Sequence, residues 1–96
     1  MNNTPNVLNQ TLTNANQEYE QSLTGGTRAF SVQCQTAAVI RIAFVTGKVA
    51  TPTAPYATIK AGTAYSIDDL SGKSGVITLY LASPTAGVVA EIIEWY

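Results

Sequence analysis

The side chains able to do chemistry are few in this 96-residue chain. The acids are Glu18, Glu20, Asp68, Asp69, Glu91 and Glu94, and histidine is absent. That removes the commonest general base and every nucleophilic triad that uses it. A glycosidase needs two carboxyls facing across a cleft. Asp68-Asp69 with Glu91 are the pair to consider, but a domain this small has little room for a cleft, and adjacent aspartates are more simply turn residues. A calcium site built from Asp68 and Asp69 has no spacing that matches a defined loop. Thiol catalysis requires an exposed thiolate beside a base. The lone cysteine, Cys34, alternates with Phe30 and Val32 and is read as a buried, inert thiol. Leu70-Ser71-Gly72-Lys73-Ser74 has the look of a phosphate loop, yet Ile67 stands where the pattern needs glycine, and a β-forming run follows in place of a helix. No catalytic, cofactor-binding or metal site is expected, and the chain is read as a non-enzyme.

Composition narrows the partners. Apolar residues make up 46% of the chain and charged residues only 11%, against about 25% charged in an ordinary domain. Thr, Ser, Ala, Asn and Gln stand in for the missing charge, which suits a surface covered by neighbours. The net charge is −1, and Lys and Arg are scattered, so no basic stripe exists to neutralise phosphates and no nucleic-acid partner is expected. The opening MNNTPNVLNQ lacks the charge and apolar core of a signal peptide. No apolar run approaches the ~20 residues of a membrane span. Synthesis in the cytoplasm and no membrane association are expected. Asn2-Asn3-Thr4 and Asn9-Gln10-Thr11 match the glycosylation pattern, but without a secretory signal they are read as chance.

Alternation of apolar and polar residues sets the fold class. Gln17 to Leu23 is a first strand with Tyr19, Gln21 and Leu23 on one face. Arg28 to Thr36 places Phe30, Val32 and Cys34 inward. Val39 to Val45 places Ile40, Ile42 and Phe44 on one face and Arg41 on the other, where it is wet or paired. Thr46 to Pro55 is a surface loop with two prolines. Tyr56 to Lys60 and Ala64 to Ile67 are short strands. Gly75 to Tyr96 reads as a β-hairpin turning at Ser83 to Gly87. Val88, Ala90 and Ile92 line its core face, and Ile93 and Trp95 point outward. Residues 1–17 are nearly free of charge and poor in helix formers, and they are expected to be an extended arm. Residues 18–96 form one domain: an all-β sandwich or jelly roll of about seven short antiparallel strands.

The series FSVQCQTAAVIRIAFVTGKVATPTAPYATIKAGTAYS and LYLASPTAGVVAEIIEWY resembles small virion structural proteins of tailed bacteriophages over residues 28–96. The resemblance implies a capsid cement or decoration protein on a compact β fold, with no active site. It implies as partners the major capsid protein and further copies of the chain, as a homotrimer with arms reaching across capsomers, and a place on the capsid surface of the virion. A tail or head–tail connector component is the alternative within that class. Candidate interface residues are Val7, Leu8 and Leu12 in the arm and Ile93, Trp95 and Tyr96 at the other end. Outside it, a carbohydrate-binding module would use Tyr56, Tyr65, Tyr80 or Trp95 as a ring platform.

Overall fold

The computed structural model describes residues 5–68 and 76–95. Eight strands follow one another: β1 (Asn6–Leu12), β2 (Tyr19–Ser22), β3 (Ala29–Cys34), β4 (Ile40–Ala43), β5 (Ala57–Ile59), β6 (Ala64–Ile67), β7 (Thr78–Ala82) and β8 (Val88–Trp95). They form two four-stranded sheets of antiparallel pairs, β1-β8-β3-β6 and β2-β7-β4-β5. The described residues contain no helix long and apolar enough to cross a membrane. The all-β expectation holds, with one strand more than expected.

The additional strand comes from the expected arm. Asn6 to Leu12 is paired along its whole length with β8, from Asn6 opposite Glu94 to Leu12 opposite Val88. Alternation decides this. Leu8 and Leu12 share a parity, and in a strand that parity faces one side. Leu12 is fully buried and Leu8 packs against the core. Burying two leucines outweighs the poor helix propensity that suggested a flexible segment.

The expected hairpin is also corrected. β7 and β8 lie in different sheets, and Ser83 to Gly87 carries the chain from one to the other. Every connection except that between β4 and β5 makes such a crossing. The crossing after β7 is held by polar contacts. Ser83 Oγ donates to the Val39 carbonyl at 2.6 Å and accepts from the Thr85 amide at 3.1 Å. Gly87 adopts φ 78° and its amide donates to the Leu12 carbonyl at 2.8 Å. A glycine suits that left-handed position because it has no Cβ to clash.

The inward faces of the two sheets share one core. Phe30, Val32, Val88, Ala90 and Ile92 come from the first sheet, and Ile40, Ile42, Ile59, Leu79 and Leu81 from the second. The alternation expected for β2, β3 and β8 is the one observed, although Cys34 is half-buried at the end of β3. Phe44, expected on one strand face with Ile40 and Ile42, lies beyond the end of β4 and is about half exposed.

β4 is buried on both faces. Its outer face is covered by the loop after it, whose Val49 is fully buried against Ala43, Ala82 and Tyr80. Arg41 ties that loop down. Its Nε donates to the Val49 carbonyl at 2.7 Å, and one terminal nitrogen donates to Asn16 Oδ1 at 2.8 Å and, more weakly, to the Ala50 carbonyl at 3.5 Å. Glu18 holds the loop's start, accepting from Thr46 Oγ1 at 2.6 Å and from the Gly47 amide at 2.9 Å. Replacing Arg41 by methionine keeps much of the volume but strips the buried Val49 carbonyl, and Asn16 and Ala50 beside it, of a donor. The expected cost is about 1–3 kcal/mol of stability, read from the urea midpoint, together with faster proteolysis between residues 46 and 55.

Candidate functional site

The two sheets differ in what covers them. The outer face of β4 and β7 lies under the loop just described. The outer face of β1-β8-β3-β6 has no such cover among the described residues. Register places its side chains in rows. Val7 stands opposite Ile93, which stands opposite Ser31, which stands opposite Ser66. Asn9, Glu91, Gln33 and Ala64 form the next row. Trp95 is two residues beyond Ile93, opposite Ala29.

This register brings Val7, Ile93 and Trp95 onto one surface. Val7 is 59% exposed and Trp95 41% exposed, with Ile93 half-buried between them. The middle of the face is neutral and polar. Glu91 accepts a hydrogen bond from Gln33 Nε2 at 2.9 Å, so the one carboxylate in these rows already has a partner. An apolar end, a polar middle and little charge make a surface suited to burial against another protein.

Of the six candidate interface residues, three are therefore gathered. Leu8 and Leu12 are not among them. They have the opposite parity and point into the core, which corrects their expected role. Tyr96 lies outside the described residues. So do residues 1–4 of the expected arm, Asp69 of the calcium and glycosidase readings, and the Leu70 to Ser74 segment.

Directly beneath this surface lies a buried carboxylate. Glu94 shares the parity of Val88, Ala90 and Ile92, and it is fully buried. Its carboxylate collects donors from two other segments. Asn6 Nδ2 of β1 donates to Oε1 at 3.0 Å, and Thr24 Oγ1 donates to the same oxygen. The Thr24 amide donates to Oε2 at 2.8 Å, and Thr27 Oγ1 reaches Oε2 at 3.4 Å. Burial pushes this carboxyl up, but the hydrogen bonds from Thr24, Asn6 and Thr27 outweigh it and hold the pKa below its ordinary value. The signal was present in the sequence, since Glu94 follows Ile92 by two residues. A glutamate on an apolar strand face needs buried donors, and the threonines of the Thr24 to Thr27 turn supply them. The clasp fixes the start of β1, and so fixes Val7 beside Ile93.

The remaining candidates are dispersed. Of the glycosidase carboxylates, Glu91 lies in the middle of β8 and is bonded to Gln33, whereas Asp68 is exposed just beyond the end of β6. Among the described residues no three of Cys, Asp and Glu come together as a metal site would need. The four rings of the carbohydrate reading do not share a surface. Tyr65 packs against the shared core, with its ring centre 6.4 Å from that of Phe30. Tyr80 packs beside Val49 under the loop. Tyr56 is exposed beside a mostly apolar groove of about 250 Å³ with Phe44, Val45 and Pro55. Trp95 stands alone of the four on the outer face of the first sheet.

No family model matches the chain, and no curated protein matches it. A solved structure does: the solution NMR structure of a de novo designed double-stranded β-helix. It is 14% identical, covers 95% of this chain and 96% of its own, and superposes with a TM-score of 0.55. At that identity the likeness extends to the fold alone.

Proposed function

We propose that this chain is a structural protein that works by assembly, docking through the outer face of the sheet β1-β8-β3-β6. The observation that carries this reading is the continuous surface of Val7, Ile93 and Trp95. An exposed tryptophan beside two aliphatic side chains is the composition of an interface centre, where tryptophan is enriched among the residues that dominate binding. The low charge of the whole chain supports the same reading.

Within that class, the resemblance to small virion proteins of tailed bacteriophages favours a capsid cement or decoration protein. Its partners are then further copies of itself, as a homotrimer, and the major capsid protein. Such a protein binds the assembled lattice and not its separated subunits, and so stabilises the lattice by mass action. A tail or head–tail connector component shares every one of these features, and labelling the protein's position on particles separates the two.

The test has two parts. Trp95→Ala should weaken association by about 2 kcal/mol or more, roughly 30-fold in dissociation constant, while the far-UV spectrum stays that of a β protein. Capsids assembled without the protein should bind it when it is added back and gain resistance to heat and low salt. Capsids that neither bind it nor gain resistance rule out the cement role. Unchanged association in Trp95→Ala rules out this face.

A further inference from the structure

We infer that β1 is an exchangeable strand: copies of the chain pass Asn6–Leu12 to one another, reciprocally in a pair or cyclically in a ring, so that each β1 seats beside the β8 of another copy and its Asn6 completes that copy's Glu94 clasp.

Four observations lead there. First, β1 is an edge strand, and among the described strands β8 is its one hydrogen-bonded neighbour. Second, its sequence NVLNQTL carries no charge, whereas edge strands are commonly guarded by charged side chains or proline against pairing with other chains. Third, the contacts that hold β1 are self-contained. They are the ladder to β8, the bond from the Gly87 amide to the Leu12 carbonyl, the burial of Leu8 and Leu12, and the bond from Asn6 Nδ2 to Glu94 Oε1. Each is recreated when an identical β1 arrives from a second copy, which is why exchange is a low-cost route to a dimer.

The fourth observation is the hinge. Residues 13–18 join β1 to β2, and when extended they reach about 20 Å. At their centre Asn16 stands at φ 56°, the left-handed region that side chains other than glycine seldom adopt. It is held there at both ends, its amide donating to the Ser83 carbonyl at 2.7 Å and its Oδ1 accepting from Arg41 at 2.8 Å. A short connection that reverses the chain at one left-handed residue is a hinge whose opening gives the exchanged form. The occupant of the vacated place is thus specified. Leu8 and Leu12 fit the core between β8 and the second sheet, and only another β1 offers these side chains in register with an Asn6 at its start.

The experiment uses the full chain with Cys34→Ser, and with Thr11→Cys and Val89→Cys, which are Cα partners across β1 and β8. The reduced protein is incubated over a range of concentrations, oxidised, and run denatured without reductant. Exchange predicts covalently linked copies, dimer or trimer, whose fraction rises with the concentration of the incubation, while neither single-cysteine variant forms them to the same extent. Covalently closed monomer at every concentration overturns the inference. If that pair fails to fold, Asn9→Cys with Glu91→Cys supplies a second set of partners in the same ladder. Association through the outer face alone leaves the disulfide inside each chain, so failure of either reading is visible apart from the other.

Discussion

Phe30→Ala should lower the unfolding free energy by about 3–5 kcal/mol. Phe30 is 1% exposed at the centre of the shared core. Its ring meets Phe44 edge-on at a centroid separation of 6.5 Å and Tyr65 at 6.4 Å. Truncation therefore loses the transfer energy of a buried ring, leaves a cavity that the two sheets cannot close without shifting their ladders, and breaks two aromatic contacts. Domains of this size are stable by only about 5–15 kcal/mol, so a large share of the total is at stake. Urea unfolding should show a much lower midpoint with an unchanged slope. A midpoint shift worth under about 1 kcal/mol would mean that the two sheets do not meet at Phe30.

Glu94→Ala should also be costly, at about 1–3 kcal/mol, because it takes the acceptor from the part-buried donors of Asn6 and Thr24 and empties a fully buried site. The same carboxylate makes stability depend on pH, and the direction follows from the lowered pKa. In the folded chain the carboxyl holds its proton less tightly than in the unfolded chain. Its contribution is therefore fully present above the ordinary glutamate value of about 4.5 and is lost as pH falls through the depressed folded value. Unfolding followed from pH 6 to pH 3 should show the wild type losing stability steadily below pH 4.5. Glu94→Gln, destabilised throughout, should lose less over the same interval. Parallel curves for the two proteins would remove Glu94 from the acid response. Because Asn6 is one of the donors, hydrogen-exchange protection at β1, taken relative to the intrinsic rate at each pH, should fall first as the pH falls.

Much of the fold can be read from alternation alone, and its failures share one cause. Phe30, Val32, Ile40, Ile42, Leu79 and Leu81 are inward because period-two patterning admits little else. The pairing of strands is a separate matter. Leu79 and Leu81 would point to the same side as Val88, Ala90 and Ile92 in a hairpin, and they also meet them across the core when β7 and β8 lie in opposite sheets. The alternation is identical in the two cases, so the crossing at Ser83 to Gly87 left no mark in it. The strand from Asn6 to Leu12 was obscured for a different reason. Asn, Gln and Thr are weak strand signals, and the two leucines that reveal its inward face are separated by a full strand repeat of polar residues.

The site divides in the same way. Ile93 and Trp95 follow from their parity on β8, but Val7 joins them only through the register of β1, which no local pattern specifies. Leu8 and Leu12 group with Val7 in the sequence because all three are apolar and close together. In a strand, adjacency separates neighbours onto opposite faces, and so it separated Val7 from Leu8. Glu94 was counted among the acids by type, when its parity with Ile92 marked it as buried.

The central claim is that the face bearing Val7, Ile93 and Trp95 is the one that assembles. Trp95 is the single tryptophan of the chain, and it lies 41% exposed on that face. Its emission is therefore a direct report. Fluorescence should be measured with acrylamide quenching across the concentration range in which the molar mass in solution rises, and again with the protein bound to capsids. Assembly through this face predicts a shift of Trp95 emission to shorter wavelength and a loss of quenching, in step with the mass. An increase in mass, or binding to capsids, that leaves Trp95 emission and quenching unchanged would contradict it.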